Sequence, residues 1–233
     1  MDKKLDHKII KEKIVYFENV FEDIELILQT IEELNNQAVT SWERWDTGDP
    51  DNSYGEVKFL LRRNLNQVES SEERQKSANL LDTIADAMGK CATEYSKLFN
   101  IDEVSLRYAL GALKHRGNTT GINKYYPERQ MGPHIDWNES NADVEYTIVV
   151  YLNDDYDGGE LRFVEPELDV KIKPKAGSIV IFPSFMPYKH ESMYVTNGRK
   201  MLITHHWKGG DRVDRIKHLL SVLRGTEKSS NES

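Results

Sequence analysis

The sequence predicts an α+β fold in which helices come first and a jelly-roll or β-sandwich core follows. Residues 1–100 contain two amphipathic helical patterns, and residues 101–210 contain roughly eight short extended runs separated by turn signals. An exposed face of a jelly roll has to be covered by other elements. We therefore expect the helices to pack on one face of the core within a single domain.

The predicted domain spans residues 1–225. Within it, residues 1–100 form the helical support, residues 101–210 form the jelly-roll core, and residues 211–225 form a closing helix. Residues 226–233 are polar and are predicted to form a flexible tail.

The helical support begins with a predicted strand at residues 13–17, which precedes the first amphipathic helix. Residues 40–53 have the composition of a loop, and residues 54–64 form a second candidate strand. The apolar positions of the first helix recur at helical spacing: Phe21, Ile24, Ile27, Leu28 and Ile31.

A capping box marks the start of the second helix. Ser70 is followed three residues later by Glu73, the pattern in which each side chain satisfies a backbone N–H at the helix start. The apolar residues that follow predict an amphipathic helix of about six turns: Leu81, Ile84, Met88, Cys91, Tyr95 and Leu98.

After Asn100 the pattern changes to short extended runs, which is typical of a sandwich or jelly roll. Turn signals separate several of these runs, and Asp157-Gly158-Gly159 in particular predicts a hairpin turn. The runs are VSLRYAL, INKYY, GPHIDW, VEYTIVVYLN, GELRFVE, LDVKIK, GSIVIFP and MLITHHW.

Composition narrows the function classes. Charged residues make up 30% of the chain, the formal net charge is −8 and no basic stripe is present, which argues against a nucleic-acid partner. No apolar run reaches about 18 residues and the N-terminus has no continuous apolar segment, so we expect neither a membrane span nor a secretory signal. The single cysteine, Cys91, cannot form an internal disulfide, which fits a cytoplasmic location.

A histidine and an aspartate two residues apart, His134 and Asp136, directly follow Gly132-Pro133. On an extended strand both side chains point to the same face, so one strand can supply two ligands to one metal. Three histidines, in charged, helical or loop segments, are weaker candidates for a third ligand: His7, His115 and His218. Three candidates remain: His190, which follows the run GSIVIFP, and His205 and His206.

Two histidines and one carboxylate form the ligand set of non-haem Fe(II) oxygenases, and this set leaves coordination positions open. A zinc site more often adds a cysteine or a further histidine. The predicted β-region contains no cysteine. The residue types therefore favour iron.

The chain resembles the Fe(II)/2-oxoglutarate-dependent dioxygenases, and within them the prolyl 4-hydroxylase branch. The resemblance covers residues 124–207, over a third of the chain, and depends on five pieces in order and spacing rather than on any one of them. It implies a double-stranded β-helix, which is a jelly roll. The pieces are KYYPERQMGPHID, YTIVVYLNDDYDGGELRF, PKAGSIVIFPS, His190 and NGRK.

The resemblance implies that His134, Asp136 and His190 are the iron ligands. It also implies Fe(II), 2-oxoglutarate as cosubstrate and O2, with ascorbate as an optional further cofactor. The reaction it implies is oxidative decarboxylation of 2-oxoglutarate to succinate and CO2, coupled to hydroxylation of an unactivated C–H bond.

The family pairs the distal carboxylate of 2-oxoglutarate with a basic residue after a glycine. Here Gly198 is followed by both Arg199 and Lys200, and strand alternation lets only one of them face inward. We favour Lys200, because it lies two residues after the glycine and ten after His190, and because it places Thr204 on the inward face, where relatives carry a threonine. Arg199, nine after His190, stays open.

Other cosubstrate contacts are implied by the same resemblance. Tyr125 lies nine residues before His134 and matches a tyrosine that contacts the cosubstrate, with Tyr126 as the alternative if the register slips by one. A second tyrosine and a wall residue of the family match this chain at Tyr151 and Leu161, and Val149 shares the strand face of Tyr151. Tyr151 and Leu161 are also expected in the core of any jelly roll.

The substrate side is less determined. Where relatives carry a tryptophan six residues after the basic residue, this chain has His206, and Trp207 comes one later. Candidate substrate contacts are Trp137, His206 and, if residues 58–73 form a lid, Arg62 and Arg63. The expected substrate is a prolyl residue in a peptide or protein.

Several alternatives stay open. One is a hydroxylase of a free amino acid or of another side chain, and another is a cupin-type metal-binding jelly roll without oxygenase activity, which would lack the basic residue behind the metal. A nucleic-acid demethylase of the same superfamily would carry a second arginine six residues after the first, a position held here by a histidine. The sequence does not determine the oligomeric state.

Overall fold

The computed structural model confirms an α+β fold, in which a mostly antiparallel sheet curls into a nearly closed, barrel-like jelly-roll core accompanied by a few helices. The structure describes residues 5–45, 48–49, 52–102, 106, 110, 119–137 and 144–208. No helix within these ranges is both long and apolar enough to cross a membrane.

The helical elements are α1 (Ile24–Glu33), α2 (Ser71–Phe99) and a short 3-10 helix (Arg62–Gln67). The strands are β1 (Asp6–Lys11), β2 (Ile14–Glu18), β3 (Glu43–Trp45), β4 (Asn52–Leu61), β5 (Thr119–His134), β6 (Val144–Tyr151), β7 (Asp157–Gly158), β8 (Leu161–Phe163), β9 (Val170–Ile172), β10 (Ser178–Pro183), β11 (His190–Ser192), β12 (Val195–Asn197) and β13 (Lys200–Lys208).

A capping side chain marks the start of both helices, and the cap at Ser70 was predicted. The carboxylate of Asp23 accepts a hydrogen bond from the backbone N–H of Leu26 at 2.9 Å, and the Ser70 hydroxyl accepts one from the N–H of Glu73 at 3.3 Å. α2 has 29 residues, about eight turns, and is longer than the predicted six. Its first turns are polar and exposed, so they carry no apolar periodicity that could reveal them.

The sheet order brings distant parts of the chain together. Neighbouring strands run β1-β2-β10-β6-β13-β5-β11-β8-β9, while β3 and β4 extend from β5, and β7 pairs with β12 in a small second sheet. β5 therefore lies between β13 and β11. Its first half pairs with β13, where Lys200 faces Tyr125, and its last residue, His134, pairs with His190 of β11.

Strand alternation divides the interior into two apolar clusters. On β6 and β13, Ile148, Val150 and Ile203 face α1 and α2, whereas Val149 and Leu202 face the inside of the barrel. Trp207 is fully buried on the helix side, where its ring packs against Tyr146 and Tyr95. The helices thus cover the outer face of the sheet and leave the inner face for a pocket.

Several local predictions were wrong. Residues 40–53, predicted as a loop, contain β3 and the start of β4, whose polar edge residues give no strand pattern. The run INKYY and the first three residues of the run GPHIDW belong to one long strand, β5, which ends at His134. Asp157-Gly158-Gly159 is not a hairpin turn, because β7 pairs with β12 rather than with the next strand.

The run VSLRYAL was predicted as a strand. Leu106 and Leu110 are helical instead, and the N–H of Leu106 donates to the carbonyl of Asp102, four residues earlier. The rest of that run lies outside the described residues. So do the predicted closing helix at 211–225 and the tail at 226–233.

Buried His205 predicts a loss of stability in acid. Burial lowers the pKa of His205 from 6.5 to about 4, and its Nε2 has no hydrogen-bond partner among the described residues. The unfolded chain therefore takes up a proton between pH 6.5 and pH 4 that the folded protein does not. The free energy of unfolding should fall by about 3 kcal/mol across this window from His205 alone. Urea denaturation of wild type, His205→Phe and His205→Gln at both pH values measures it, and equal pH dependence of all three proteins contradicts it.

Candidate active site

Three potential metal ligands converge at the open end of the barrel. His134 ends β5, Asp136 follows it after one residue, and His190 begins β11. The Nε2 atom of His134 lies 3.5 Å from Oδ1 of Asp136, and Nε2 of His190 lies 3.7 Å from Oδ2. One ligand atom from each of the three residues lies within 4.8 Å of the others, a spacing that fits one shared ion.

Backbone carbonyls orient both imidazoles. Nδ1 of His134 donates to the carbonyl of Gly132 at 2.7 Å, and Nδ1 of His190 donates to that of Tyr188 at 3.1 Å. Because a carbonyl can only accept, the proton of each neutral ring is on Nδ1 and the lone pair is on Nε2. Both lone pairs therefore point toward Asp136, as metal ligation requires.

Two buried hydroxyl groups hold the carboxylate. The Thr147 hydroxyl, on β6, donates to Oδ2 of Asp136 at 2.5 Å. Oγ of Ser184 lies 2.8 Å from the same Thr147 oxygen, and because the Thr147 proton is directed to the carboxylate, Ser184 is the donor to Thr147. Both residues are buried. No sequence pattern predicted this pair, because it depends on how β6 and β10 are aligned.

The charges of the triad suit a divalent cation. Burial alone would raise the pKa of Asp136, but the contact with His134 and the electrostatic interaction with the nearby His190 imidazole hold that pKa well below its usual range. Burial, against the rings of Phe182 and Phe163, lowers the pKa of His190 to about 4. Asp136 is therefore ionised and His190 neutral at pH 7, the forms that bind a metal.

His134 is the one ligand with a raised pKa. Burial lowers it, but the contacts with Asp136 and with the carbonyl of Gly132 raise it by more. A cation at the shared position would compete with the proton that Asp136 stabilises on Nε2 of His134, so metal binding is expected to release protons. Two imidazoles and a carboxylate are the donor set that suits Fe(II).

A buried lysine lies deeper in the barrel. Lys200 is fully buried, and its Nζ donates to the carbonyl of Gly159 at 2.6 Å and to the Ser192 hydroxyl at 2.7 Å. Nζ also lies 5.3 Å from the ring centre of Tyr125 and 5.5 Å from that of Tyr151. Burial, with a smaller contribution from the charge of Lys173, lowers the pKa of Lys200 to about 7. A cation buried in this way can bind a carboxylate.

Comparisons with known proteins agree with this arrangement. The model of the 2OG-Fe(II) oxygenase superfamily matches residues 120–208, a range that contains all three triad residues and Lys200. This chain contains a 2OG-Fe(II) oxygenase domain. The family resemblance inferred from the sequence motifs is thereby confirmed.

Two relatives in sequence are hydroxylases by name. Mouse prolyl 3-hydroxylase 2 is 30% identical over 140 residues, which cover 55% of this chain and 20% of the relative. A PKHD-type hydroxylase of Prochlorococcus marinus is 26% identical over 184 residues, which cover 78% of this chain and 71% of the relative. The chain thus spans only about a fifth of the length of the first relative.

Two solved structures show the same fold. A viral collagen prolyl hydroxylase from Paramecium Bursaria Chlorella virus-1 superposes with a TM-score of 0.52 at 16% identity, covering 84% of this chain and 95% of that one. A prolyl hydroxylase from Trichoplax adhaerens, solved with a hypoxia inducible factor peptide fragment, gives 0.53 at 14% identity, covering 89% and 86%. Identities this low establish the jelly-roll fold alone.

Of the two basic candidates in the oxygenase domain, the structure places only Lys200 inside the barrel. Arg199 is exposed and lies beside Tyr126, whose hydroxyl donates to Glu56 at 2.7 Å. Tyr126 therefore points away from the pocket, and Tyr125 points into it. The side chain of Asn153 fixes this choice, because it donates to the carbonyl of Arg199 at 2.6 Å and accepts from the N–H of Met201 at 2.7 Å.

The other predicted pocket residues lie on the inner face. Val149, Tyr151 and Leu161 belong to the same buried cluster as Tyr125. Thr204 pairs with Val149 across β13 and β6 and is partly exposed. Their contact with a cosubstrate stays a prediction.

Two further residues beside Lys200 were missed. Ser192 accepts from Lys200 and lies two residues after His190 on β11, the same spacing that links His134 and Asp136, so its inward orientation could have been inferred. Gly159 has a positive φ of 65°, and a Cβ there would lie 3.1 Å from Cδ of Lys200. The second glycine of the Asp-Gly-Gly segment thus makes room for the lysine.

The substrate candidates separate into two groups. His206 lies on the inner face, close enough to the triad to contribute to the lowered pKa of Asp136. Trp137, which directly follows Asp136 in the chain, is exposed. The structure places Arg62 and Arg63 elsewhere. They begin the 3-10 helix after the end of β4 that pairs with the start of β5, away from His134, and Arg62 donates to Asp82 of α2 at 2.7 Å.

Replacing Thr147 with valine tests the support of the carboxylate. Thr147→Val keeps the shape of the side chain but removes the donor to Asp136, so the affinity for Fe(II) or Co(II) should fall about 10- to 100-fold. Anaerobic titration calorimetry measures the affinity directly. Thr93→Val is the matched control, because the Thr93 hydroxyl donates to the carbonyl of Gly89 within α2. Equal metal affinities of the two variants would contradict this role.

Proposed function

We propose that this chain is an Fe(II)- and 2-oxoglutarate-dependent hydroxylase that acts on an unactivated C–H bond, most favourably of a prolyl residue in a peptide or protein. The observation that carries the proposal is the presence, in one barrel, of the triad at the open end and the buried cation of Lys200 farther in. The triad would bind the metal and Lys200 the cosubstrate, and both belong to the region that matches the oxygenase domain.

His134, Asp136 and His190 would hold the ferrous ion. When bound, iron and cosubstrate supply the oxidising chemistry, in which O2, 2-oxoglutarate and the substrate R–H give R–OH, succinate and CO2. The chain fixes where this happens. Backbone carbonyls orient both imidazoles, and the Thr147 hydroxyl donates to Oδ2 of Asp136, which would leave Oδ1 available to bind the ion.

Lys200 would bind the distal carboxylate of 2-oxoglutarate, with Ser192 as a neighbouring polar group and Tyr125 and Tyr151 lining the pocket. Burial makes this pairing strong, because water does not compete for the lysine. Leu161 and Val149 supply apolar walls to the same cavity. The buried lysine favours an oxygenase over a cupin-type metal-binding jelly roll, which has no need of a cation there.

A peptidyl proline is supported by the names of the relatives, several of which are prolyl hydroxylases. A free amino acid, or another side chain of a protein, is the second candidate. Ascorbate as an additional cofactor, a cytoplasmic location and a single domain spanning residues 1–225 stay predictions.

The decisive experiment measures succinate. The protein reconstituted with Fe(II) should convert 2-oxoglutarate to succinate in an O2-dependent manner, and chelation of the metal should stop the conversion. Proline-containing peptides should raise the rate and gain one oxygen atom in the mass spectrum. Absence of metal-dependent succinate formation would refute the oxygenase. Turnover stimulated by free amino acids but by no peptide would select the second candidate.

A further inference from the structure

Exposed apolar side chains gather at the edge of the candidate active site. The described residues expose seven large hydrophobic side chains, and three of them lie in the two segments that adjoin the triad. Trp137 is 39% exposed, Phe185 44% and Met186 51%. We refer to these three residues as the rim platform. Single exposed apolar residues need no explanation, but a group of them beside a functional site marks a contact surface.

The rim platform is fixed to the triad from both sides. The N–H of Trp137, which follows Asp136, donates to the carbonyl of Ser184 at 3.0 Å, and the Ser184 hydroxyl contacts Thr147. Phe185 and Met186 come next in the chain. On the far side, the carbonyl of Tyr188 accepts from Nδ1 of His190.

A tight turn presents the two residues. The N–H of Tyr188 donates to the carbonyl of Phe185 at 2.9 Å, and the two rings meet edge to face at 6.4 Å. By contrast, Phe182 in the preceding strand is fully buried against His190. The local fold therefore buries one phenylalanine against a triad residue and holds another, with a methionine, at the surface a few residues later.

The position of the platform restricts its occupant. A free amino acid that reaches the iron would lie inside the barrel and leave these three side chains in water. A peptide chain continues past the target residue in both directions, so its neighbouring side chains cross the rim. Tryptophan, phenylalanine and methionine are the residue types enriched where apolar side chains are bound.

We propose that the rim platform binds an apolar side chain of a peptide or protein substrate, next to the residue that is hydroxylated. This inference deepens the proposed function and depends on it, because the substrate must approach the triad. It makes the enzyme selective for apolar neighbours of the target residue.

Peptide binding without turnover tests the selectivity. Two sets of fluorescently labelled decapeptides have a central proline. In the apolar set, leucine or phenylalanine flanks the proline on both sides, and in the polar set serine or glutamine takes those positions. They are titrated against Fe(II)-loaded protein with 2-oxoglutarate in the absence of O2. We expect wild type to bind the apolar set about tenfold more tightly than the polar set. Trp137→Ala and the double variant Phe185→Ala/Met186→Ala should reduce that ratio to about one, and Trp137→Phe should retain most of it.

The control is Leu26→Ala, which removes an even more exposed apolar side chain from α1 and should keep the wild-type ratio. Absence of apolar selectivity in wild type, including absence of any peptide binding, overturns the proposal, as does a ratio unchanged in the platform variants. Succinate formation by wild type is measured in parallel. If succinate forms but no selectivity is found, the rim platform alone is refuted, whereas absence of succinate refutes the proposed function.

Discussion

His134→Ala is expected to lower O2-dependent succinate formation at least about a hundredfold. Residues that merely orient metal ligands typically contribute 10- to 100-fold to metal affinity or activity, and His134 would be a ligand itself. The substitution also removes the imidazole whose Nε2 lies 3.5 Å from Oδ1 of Asp136, so the buried carboxylate loses one of its polar contacts. Succinate release at saturating Fe(II) measures the effect.

The same substitution at His7 is the control. His7 lies on β1, at one end of the sheet order, so His7→Ala should retain wild-type turnover. Anaerobic Fe(II) titration of both variants, with circular dichroism as a check on folding, separates loss of the metal from loss of the fold. Folded His134→Ala protein with wild-type turnover would remove the basis of the metal site.

Part of the site could be predicted from the sequence because it depends only on the geometry of neighbouring residues. The two-residue spacing places His134 and Asp136 on one strand face, and the structure shows the corresponding contact. Joining His190 to them required the family resemblance, since nothing local relates β11 to β5. The contact between the hydroxyl groups of Thr147 and Ser184 could not be predicted, because it depends on the register between β6 and β10.

Side-chain direction was harder to predict than residue type. Alternation showed that only one of Arg199 and Lys200 faces inward, but the direction is set by Asn153, nearly fifty residues away in sequence, which holds the backbone on both sides of Lys200. Edge strands escaped prediction for a related reason. β3 has little apolar area to bury, so its residues show no alternation.

Lys200→Ala is expected to raise the KM for 2-oxoglutarate roughly a hundredfold. Loss of one partner of a buried ion pair costs about 3 kcal/mol or more, and the alanine variant would leave the cosubstrate carboxylate without a counter-charge. Arg199→Ala should change the KM by less than about twofold, because Arg199 is exposed. The opposite ranking would show that the arginine, and not the lysine, binds the cosubstrate.

The depressed pKa of Lys200 adds a pH dependence to this prediction. Burial lowers the pKa from 10.5 to about 7, so above pH 7 the free protein holds an increasingly neutral lysine. A bound carboxylate favours the charged form and raises that pKa, so binding above pH 7 takes up a proton. The affinity for 2-oxoglutarate should therefore fall as pH rises above 7, by up to about tenfold per pH unit. Calorimetry in two buffers of different ionisation enthalpy counts the proton. Lys200→Arg keeps its charge throughout this range, so proton uptake that persists in that variant would have to come from another group.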